Sequence, residues 1–383
     1  MTDRTALAAH LAARFQDFVG RPAAGVWAAP GRVNLMGEHT DYNDGLVLPF
    51  AIDSAALVAV APRVDDRLTC RSLDRPDVAA IHAGDLAPGS ITGWPAYVLG
   101  AVWALGWPQA GRPGLDIVVT SDVPAGAGLS SSAALTCAVT LAAAEIAGLE
   151  LDRTALATAA RRAETDMVGA PVGIMDQMAA MYGQAGHALL LDCRSLVVEP
   201  VVLPGQESDA AVLVVDTRVS HANSEGGYAR RRAVCERAAR RLGVPALRDA
   251  TLTAVETALE GDELRVARHV VTEIERVGTA VAALRRADLA SLGEIFAASH
   301  ASMRDDFRIS CAELDLAVDA LLGAGAVAAR MTGGGFGGCA VGLLPPAAVP
   351  AATVATTAAF EARGFTSPRV FETRPSGGAA RIR

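Results

Sequence analysis

Val123-Pro-Ala-Gly-Ala-Gly-Leu-Ser-Ser-Ser-Ala-Ala-Leu135 joins an apolar, β-branched run, Leu115–Thr120, to an alanine-rich stretch that continues to Ile146. The run predicts a strand, the Pro and Gly residues a tight turn, and the alanines a long helix starting near Ser130. A strand that feeds a helix through Gly126 and Gly128 makes a fold of mixed α and β elements. Glycine lets backbone approach a ligand closely at positive φ. Successive amides facing one concavity form an anion nest, and the helix adds its positive dipole end. Gly126, Gly128, Leu129, Ser130, Ser131 and Ser132 are therefore candidate phosphate-binding residues. A serine N-cap on an ordinary core helix would need one such hydroxyl. Three serines after Gly-x-Gly favour an anion.

Composition sharpens this. The chain has 383 residues and no lysine, so all 34 basic residues are arginine. Lysine-dependent chemistry is excluded: the GK[ST] phosphate loop, the protein-kinase strand lysine, the pyridoxal Schiff base and the Ser-x-x-Lys hydrolases. Bound phosphate must be held by amides, arginine, hydroxyls or a metal. A net charge of −8 argues against nucleic acid or an anionic membrane as partner. Six scattered cysteines without a Cys-x-x-Cys pair predict free thiols in a reducing cytoplasm. The longest uncharged stretch, near 340–360, is broken by Pro345, Pro346 and Pro350 and does not suit a membrane span.

Outward from the turn, helices are expected at 3–18, 94–105, 152–166 and 173–182. Strands are expected at 26–29, 46–49, 54–63, 67–71, 187–192, 196–202 and 211–217. Residues 225–322 read as almost wholly helical. A strand at 327–332, a glycine turn, and a strand, helix and strand at 339–343, 351–362 and 367–373 follow. A boundary is expected near 203–210, dividing the chain into 1–205 and 206–383.

A second chemical signal precedes the first. Ala29-Pro-Gly-Arg-Val-Asn-Leu-Met-Gly-Glu-His-Thr-Asp-Tyr-Asn-Asp-Gly45 packs Arg32, Asn34, Glu38, His39, Asp41, Tyr42, Asn43 and Asp44 into thirteen residues between two expected strands. That density of donors and acceptors suits a polyhydroxylated ligand. Arg230, Arg231 and Arg232 read as a solvated helix face, and His187, His269 and His300 show no ligand spacing.

The polar loop resembles the signature of the galactokinase family. The Ser-rich turn is similar to the second motif of the wider GHMP kinase superfamily, and Met331-Thr-Gly-Gly-Gly-Phe-Gly-Gly-Cys-Ala340 to the third. Gly169-Ala-Pro-Val-Gly-Ile-Met-Asp-Gln177 resembles the segment that carries the catalytic aspartate. The resemblance implies an α+β fold of two domains with the active site in the interdomain cleft, and a left-handed βαβ crossover in the first. It implies transfer of phosphate from ATP to the anomeric hydroxyl of α-D-galactose, with Asp176 as base and Arg32 as charge stabiliser. Glu38, His39, Asp41, Gly173, Asp176 and Tyr228 would contact the sugar. Trp94 would stack on adenine, and Ser132 and Glu164 would reach Mg²⁺. Ala96 stands where relatives often carry Asn. A related arabinose or N-acetylgalactosamine kinase and a non-catalytic sugar sensor are the alternatives. The sensors carry an insertion in the Ser-rich turn, which is uninterrupted here. Small-molecule substrates, no nucleic acid, no membrane and a monomer are the remaining expectations.

Overall fold

The computed structural model describes residues 4–203, 210–220 and 224–383. Most of the expected boundary, 204–209, and His221–Asn223 of the Tyr228 segment lie outside the described residues. The strands are β1 (Gly25–Asn34), β2 (Leu46–Val47), β3 (Pro49–Pro62), β4 (Arg67–Ser72), β5 (Val78–His82), β6 (Leu115–Ser121), β7 (His187–Asp192), β8 (Val198–Val202), β9 (Ala211–Ser220), β10 (Ala328–Thr332), β11 (Gly337–Leu344), β12 (Arg369–Thr373) and β13 (Ala380–Arg381). They form three sheets, ordered β13-β1-β3-β6-β4-β5, β10-β11-β9-β12 and β2-β7-β8. All neighbours are antiparallel except β4 and β6. The crossover between that parallel pair contains β5 and helix α2 (Trp94–Ala104).

The first sheet carries α1 (Arg4–Val19) on one side, where Leu11 and Phe15 are buried against alanines of β1 and β3. The alanine-rich α3 (Ser131–Ile146) lies on the other side with α2, α4 (Arg153–Arg162) and α5 (Met175–Tyr182). Alanine at most of the buried positions of α3 lets the helix sit close to the sheet. The later helices are α6 (Ser224–Leu242), α7 (Leu252–Ala258), α8 (Gly261–Arg285), α9 (Leu289–Ala301), α10 (Ala312–Gly323) and α11 (Val349–Ala362). Helices α6–α8, α10 and α11 share a core with the second sheet. One core cluster spans both halves of the chain and packs Val33, Leu48 and Leu129 with Val214, Val277 and Val341. It lies beneath the polar loop and the Ser-rich turn.

Four elements differ from the sequence reading. Strand β1 runs on through Pro30 and Gly31 to Asn34, buried throughout. A bulge between Pro30 and Arg32 accommodates the proline, which cannot donate to a sheet ladder. The helix expected over 152–166 changes to π geometry at Ala163–Val168. Strands β5 and β13 carry too little apolar signal to stand out, and β13 returns the C-terminal end of the chain to the edge of the first sheet beside β1.

Candidate active site

The Ser-rich turn and the glycine turn between β10 and β11 meet backbone to backbone. A Cβ on Gly333 (φ +87°) would lie 2.9 Å from the Gly128 carbonyl oxygen, and one on Gly338 3.2 Å from that of Ala127. Side chains cannot be inserted there, so the third motif closes against the second as a rigid contact. Between the turns opens a cavity of about 440 Å³, lined by Arg32, Gly126, Gly128–Ser132, Asp176, Tyr228, Thr332 and Gly334–Gly338. A neighbouring cavity of about 290 Å³ shares Ser131 and Ser132 and is lined by Trp94, Tyr97, Asp74 and Ser121. The Trp94 indole nitrogen is buried with no hydrogen-bond partner.

Arg32 emerges from the bulge of β1 and is 5% exposed. Its Nε and Nη2 donate to the Asp176 carboxylate at 2.9 and 3.1 Å, and Nη1 donates to the Gly128 carbonyl. A planar guanidinium is suited to such a fork. Ser130, held at φ +61° before the first turn of α3, donates its hydroxyl to Asp176 as well. One carboxylate in the first turn of α5 thus ties the bulge of β1 to the Ser-rich turn. The sequence placed Ser130 in the phosphate cradle without signalling this contact.

Asp41 and Gly173 meet on the sugar-loop side. A Cβ on Gly173 would fall 1.6 Å from Asp41 Oδ2, so only glycine admits the carboxylate here. Burial, then the nearby Asp176 charge, pushes the Asp41 carboxyl up to about 6. The Tyr228 hydroxyl takes a hydrogen bond from the Gly173 backbone, and its ring stands 5.0 Å from that of His39 and 5.5 Å from Tyr42.

Glu38 and His39 have partners within the protein that the sequence does not signal. The Glu38 carboxylate is buried against Arg330, which is fully buried, and accepts the Gly333 N–H at 3.1 Å. His39 sits at φ +62° with Nδ1 2.8 Å from the Tyr42 hydroxyl and Nε2 3.1 Å from the Gly334 carbonyl. A carbonyl only accepts, so Nε2 carries the proton and Nδ1 accepts from Tyr42. Burial holds this imidazole neutral, its pKa lowered to about 3. Both side chains are already paired within the protein.

Glu164 lies in the π turn, 1% exposed. Gln177 Nε2 donates to it at 2.8 Å and Thr136 Oγ1 lies 3.2 Å away. Ser132 also hydrogen-bonds it, and burial pushes its carboxyl up to about 7. A carboxylate and a hydroxyl are hard oxygen donors of the kind that hold Mg²⁺ with phosphate oxygens completing the shell, so the pair fits the expected ion. Among the described residues no group of three or more His, Cys, Asp or Glu side chains could hold a metal by itself.

The arginine run is only partly solvated. Arg231 pairs with Asp262 at 3.0 Å. Arg232 donates to the Pro171 carbonyl at 3.2 Å and lies over the Tyr42 ring. The expectation of a solvated face holds for Arg230 alone. No described helix is long and apolar enough to cross a membrane.

Comparison with known proteins agrees with this geometry. Residues 13–62 match the galactokinase galactose-binding signature, 96–184 the GHMP kinase N-terminal domain and 280–361 the GHMP kinase C-terminal domain. The chain is 50% identical to a galactokinase of Streptomyces coelicolor over 98% of its own length and 99% of that protein's. It is 43% identical to one of Bos taurus, over 88% and 87% of the two chains. The crystal structure of Lactococcus lactis galactokinase complexed with galactose superposes with a TM-score of 0.92 at 28% identity, covering 98% of this chain and all of that one. The Methanococcus jannaschii mevalonate kinase shares the fold, with a TM-score of 0.67 at 18% identity over 92% and 98% of the chains. With its sugar-binding signature, both superfamily domains and half its residues shared end to end with a galactokinase, the chain belongs to the galactokinase family of GHMP kinases.

Proposed function

We propose that this chain transfers the γ-phosphoryl group of ATP to the anomeric hydroxyl of α-D-galactose, giving galactose 1-phosphate and ADP. The observation that carries the reading is the junction at Asp176. One carboxylate, gripped by Arg32 and Ser130, lies between the Gly/Ser turn and the side chains of the sugar loop.

Phosphoryl transfer asks a protein for positioning and charge neutralisation more than for covalent chemistry. The Gly126–Ser132 turn and the start of α3 offer N–H groups and a positive dipole end to the triphosphate. Trp94 lines the adjoining cavity and stacks on the adenine. Mg²⁺ would be held by Ser132 and Glu164 and, when bound, neutralises charge on the β- and γ-phosphates. At the other end Asp41, Gly173, Tyr228 and Asp176 contact hexose hydroxyls, with Glu38 and His39 in the same loop as Asp41. Asp176 accepts the anomeric proton as the oxygen attacks phosphorus and the bond to the β-phosphate oxygen breaks. Arg32, fixed beside it by two hydrogen bonds, holds the carboxylate in place and faces the phosphoryl oxygens as charge shifts.

The segments 1–205 and 206–383 act as two lobes around the cleft, each with a core cluster of its own and a third cluster shared between them. The six free cysteines, five of them buried, suit a monomeric enzyme of the reducing cytoplasm. ADP release with galactose, glucose, arabinose, N-acetylgalactosamine and mevalonate tests the reading. Turnover is expected with galactose. Turnover confined to another sugar would reassign the substrate, and a thermal shift without turnover would indicate a sensor.

A further inference from the structure

Helix α8 buries Val266, His269, Val270, Glu273 and Val277 along one stripe. A histidine and a glutamate in that stripe, each 0% exposed, face the loop that leads to Asp41. His269 Nε2 lies 3.1 Å from the Glu38 carbonyl, and Nδ1 lies 2.9 Å from the Ser302 hydroxyl. The carbonyl only accepts, so Nε2–H donates to it and Nδ1 accepts from Ser302. Glu273 accepts the Gly37 N–H at 3.0 Å. It is itself fixed by Ser299 at 2.8 Å and by Arg276 at 2.8 Å. From β10, Arg330 donates Nη1 to the Leu35 carbonyl at 2.6 Å and Nη2 to the Glu38 carboxylate, and lies 3.6 Å from Glu273.

The loop needs these partners. It passes through φ +100° at Gly37 and +62° at His39. On that path the Gly37 N–H and the Leu35 and Glu38 carbonyls have side-chain partners from α8 and β10, more than 230 residues along the chain. Buried backbone groups without partners cost enough to move a loop.

We infer that His269 and Glu273, together with Arg330, are positioning residues: they clamp the backbone of Leu35–Glu38 and thereby set Asp41 against Gly173 and Asp176. They touch neither substrate. The inference rests on the proposed sugar site and names what holds it in place. His269 and Glu273 act on the sugar end: they hold the Gly37 and Glu38 backbone, whereas Arg330 also holds the Glu38 carboxylate that accepts the Gly333 N–H of the glycine turn, and so the α8 pair carries the test. Its loss weakens sugar binding and leaves nucleotide binding as it was.

Steady-state kinetics of the full chain test this, with galactose and ATP varied separately. His269→Phe keeps the ring volume and the packing on Phe307, whose centroid is 4.5 Å away, but loses both hydrogen bonds. The galactose KM should rise about tenfold, the scale of one unsatisfied buried group, with the ATP KM within about twofold. His269→Gln, whose amide can donate from near the Nε2 position, should recover most of the loss. Glu273→Gln still offers Gly37 an acceptor but removes the charge facing Arg330 and Arg276, and should raise the galactose KM about threefold or more. If His269→Phe does not fold, Glu273→Gln decides. An unchanged galactose KM, or ATP and galactose KM values rising together, overturns the clamp. Wild-type turnover of galactose checks the underlying reading separately. A wild type that phosphorylates galactose beside variants with an unchanged galactose KM would sink the clamp alone.

Discussion

The two ends of the proposed cleft are built by different means. The phosphate end is a short piece of backbone: a strand, a turn with two glycines and the start of a helix, spanning residues 115–135, closed by a second glycine turn so near that a Cβ on Gly333 would lie 2.9 Å from the Gly128 carbonyl oxygen. The sugar end is made of side chains that the loop cannot hold alone. Asp41, His39 and Glu38 depend on Gly173, Tyr228, Gly334 and Arg330 from distant parts of the chain. Backbone nests are specified locally. A pocket for hydroxyl groups needs donors and acceptors at fixed places, and here long-range partners fix them.

If that contrast is right, lesions at the two ends should separate, and the residue that joins them should matter most. Asp176→Asn should lower kcat by at least ~10²-fold with a modest change in either KM, since a positioned base contributes roughly 10²–10⁴-fold. Near-normal turnover would remove Asp176 from the chemistry.

The next effect is on stability. The Glu164 carboxyl is raised in the folded protein to about 7, so the folded state holds its proton more tightly than the unfolded chain does. That contribution is complete below pH ~4.5 and is lost as pH rises through about 7. Without nucleotide or metal, Glu164→Gln should therefore gain stability on the wild type from pH 4.5 to 8, by up to about 3 kcal/mol, while requiring more Mg²⁺ for activity. Urea midpoints across that range check it, and parallel pH profiles for the two proteins would contradict it.

Gly173→Ala places a methyl group on the Asp41 carboxylate. It should raise the galactose KM by about tenfold or more, on the scale of strain from overpacking, and spare the ATP KM. Trp94→Leu is the mildest change. It should raise the ATP KM about three- to tenfold, the worth of an aromatic stack, with the galactose KM unchanged. A rise in the galactose KM would erase the separation of the two ends.

The same contrast explains what could be read from the sequence. The strand–turn–helix over residues 115–146 and the glycine turn at 333–338 are legible because β-branched residues, Gly, Ser and Ala impose local conformation. The density of polar residues at 29–45 marked the loop, but not which way its side chains turn. Nothing near Glu38 and His39 in the sequence reveals their partners Arg330 and the Gly334 carbonyl, which lie 292 and 295 residues away. His269 shows no ligand spacing, and nothing local in the sequence singles out Glu273. Their signal was a histidine and a carboxylate within the apolar stripe of α8, where unpaired polar groups are costly. Arg231 and Arg232 looked solvated because Asp262 and Pro171 are remote in sequence.

A crystal structure of the protein with galactose and a non-hydrolysable ATP analogue tests the central claim most directly. The account predicts the anomeric oxygen within about 2.6–3.2 Å of an Asp176 carboxylate oxygen and the γ-phosphate on the amides of 126–132, with Arg32 between them. A sugar bound away from Asp176, or a triphosphate resting outside the Ser-rich turn, would contradict it.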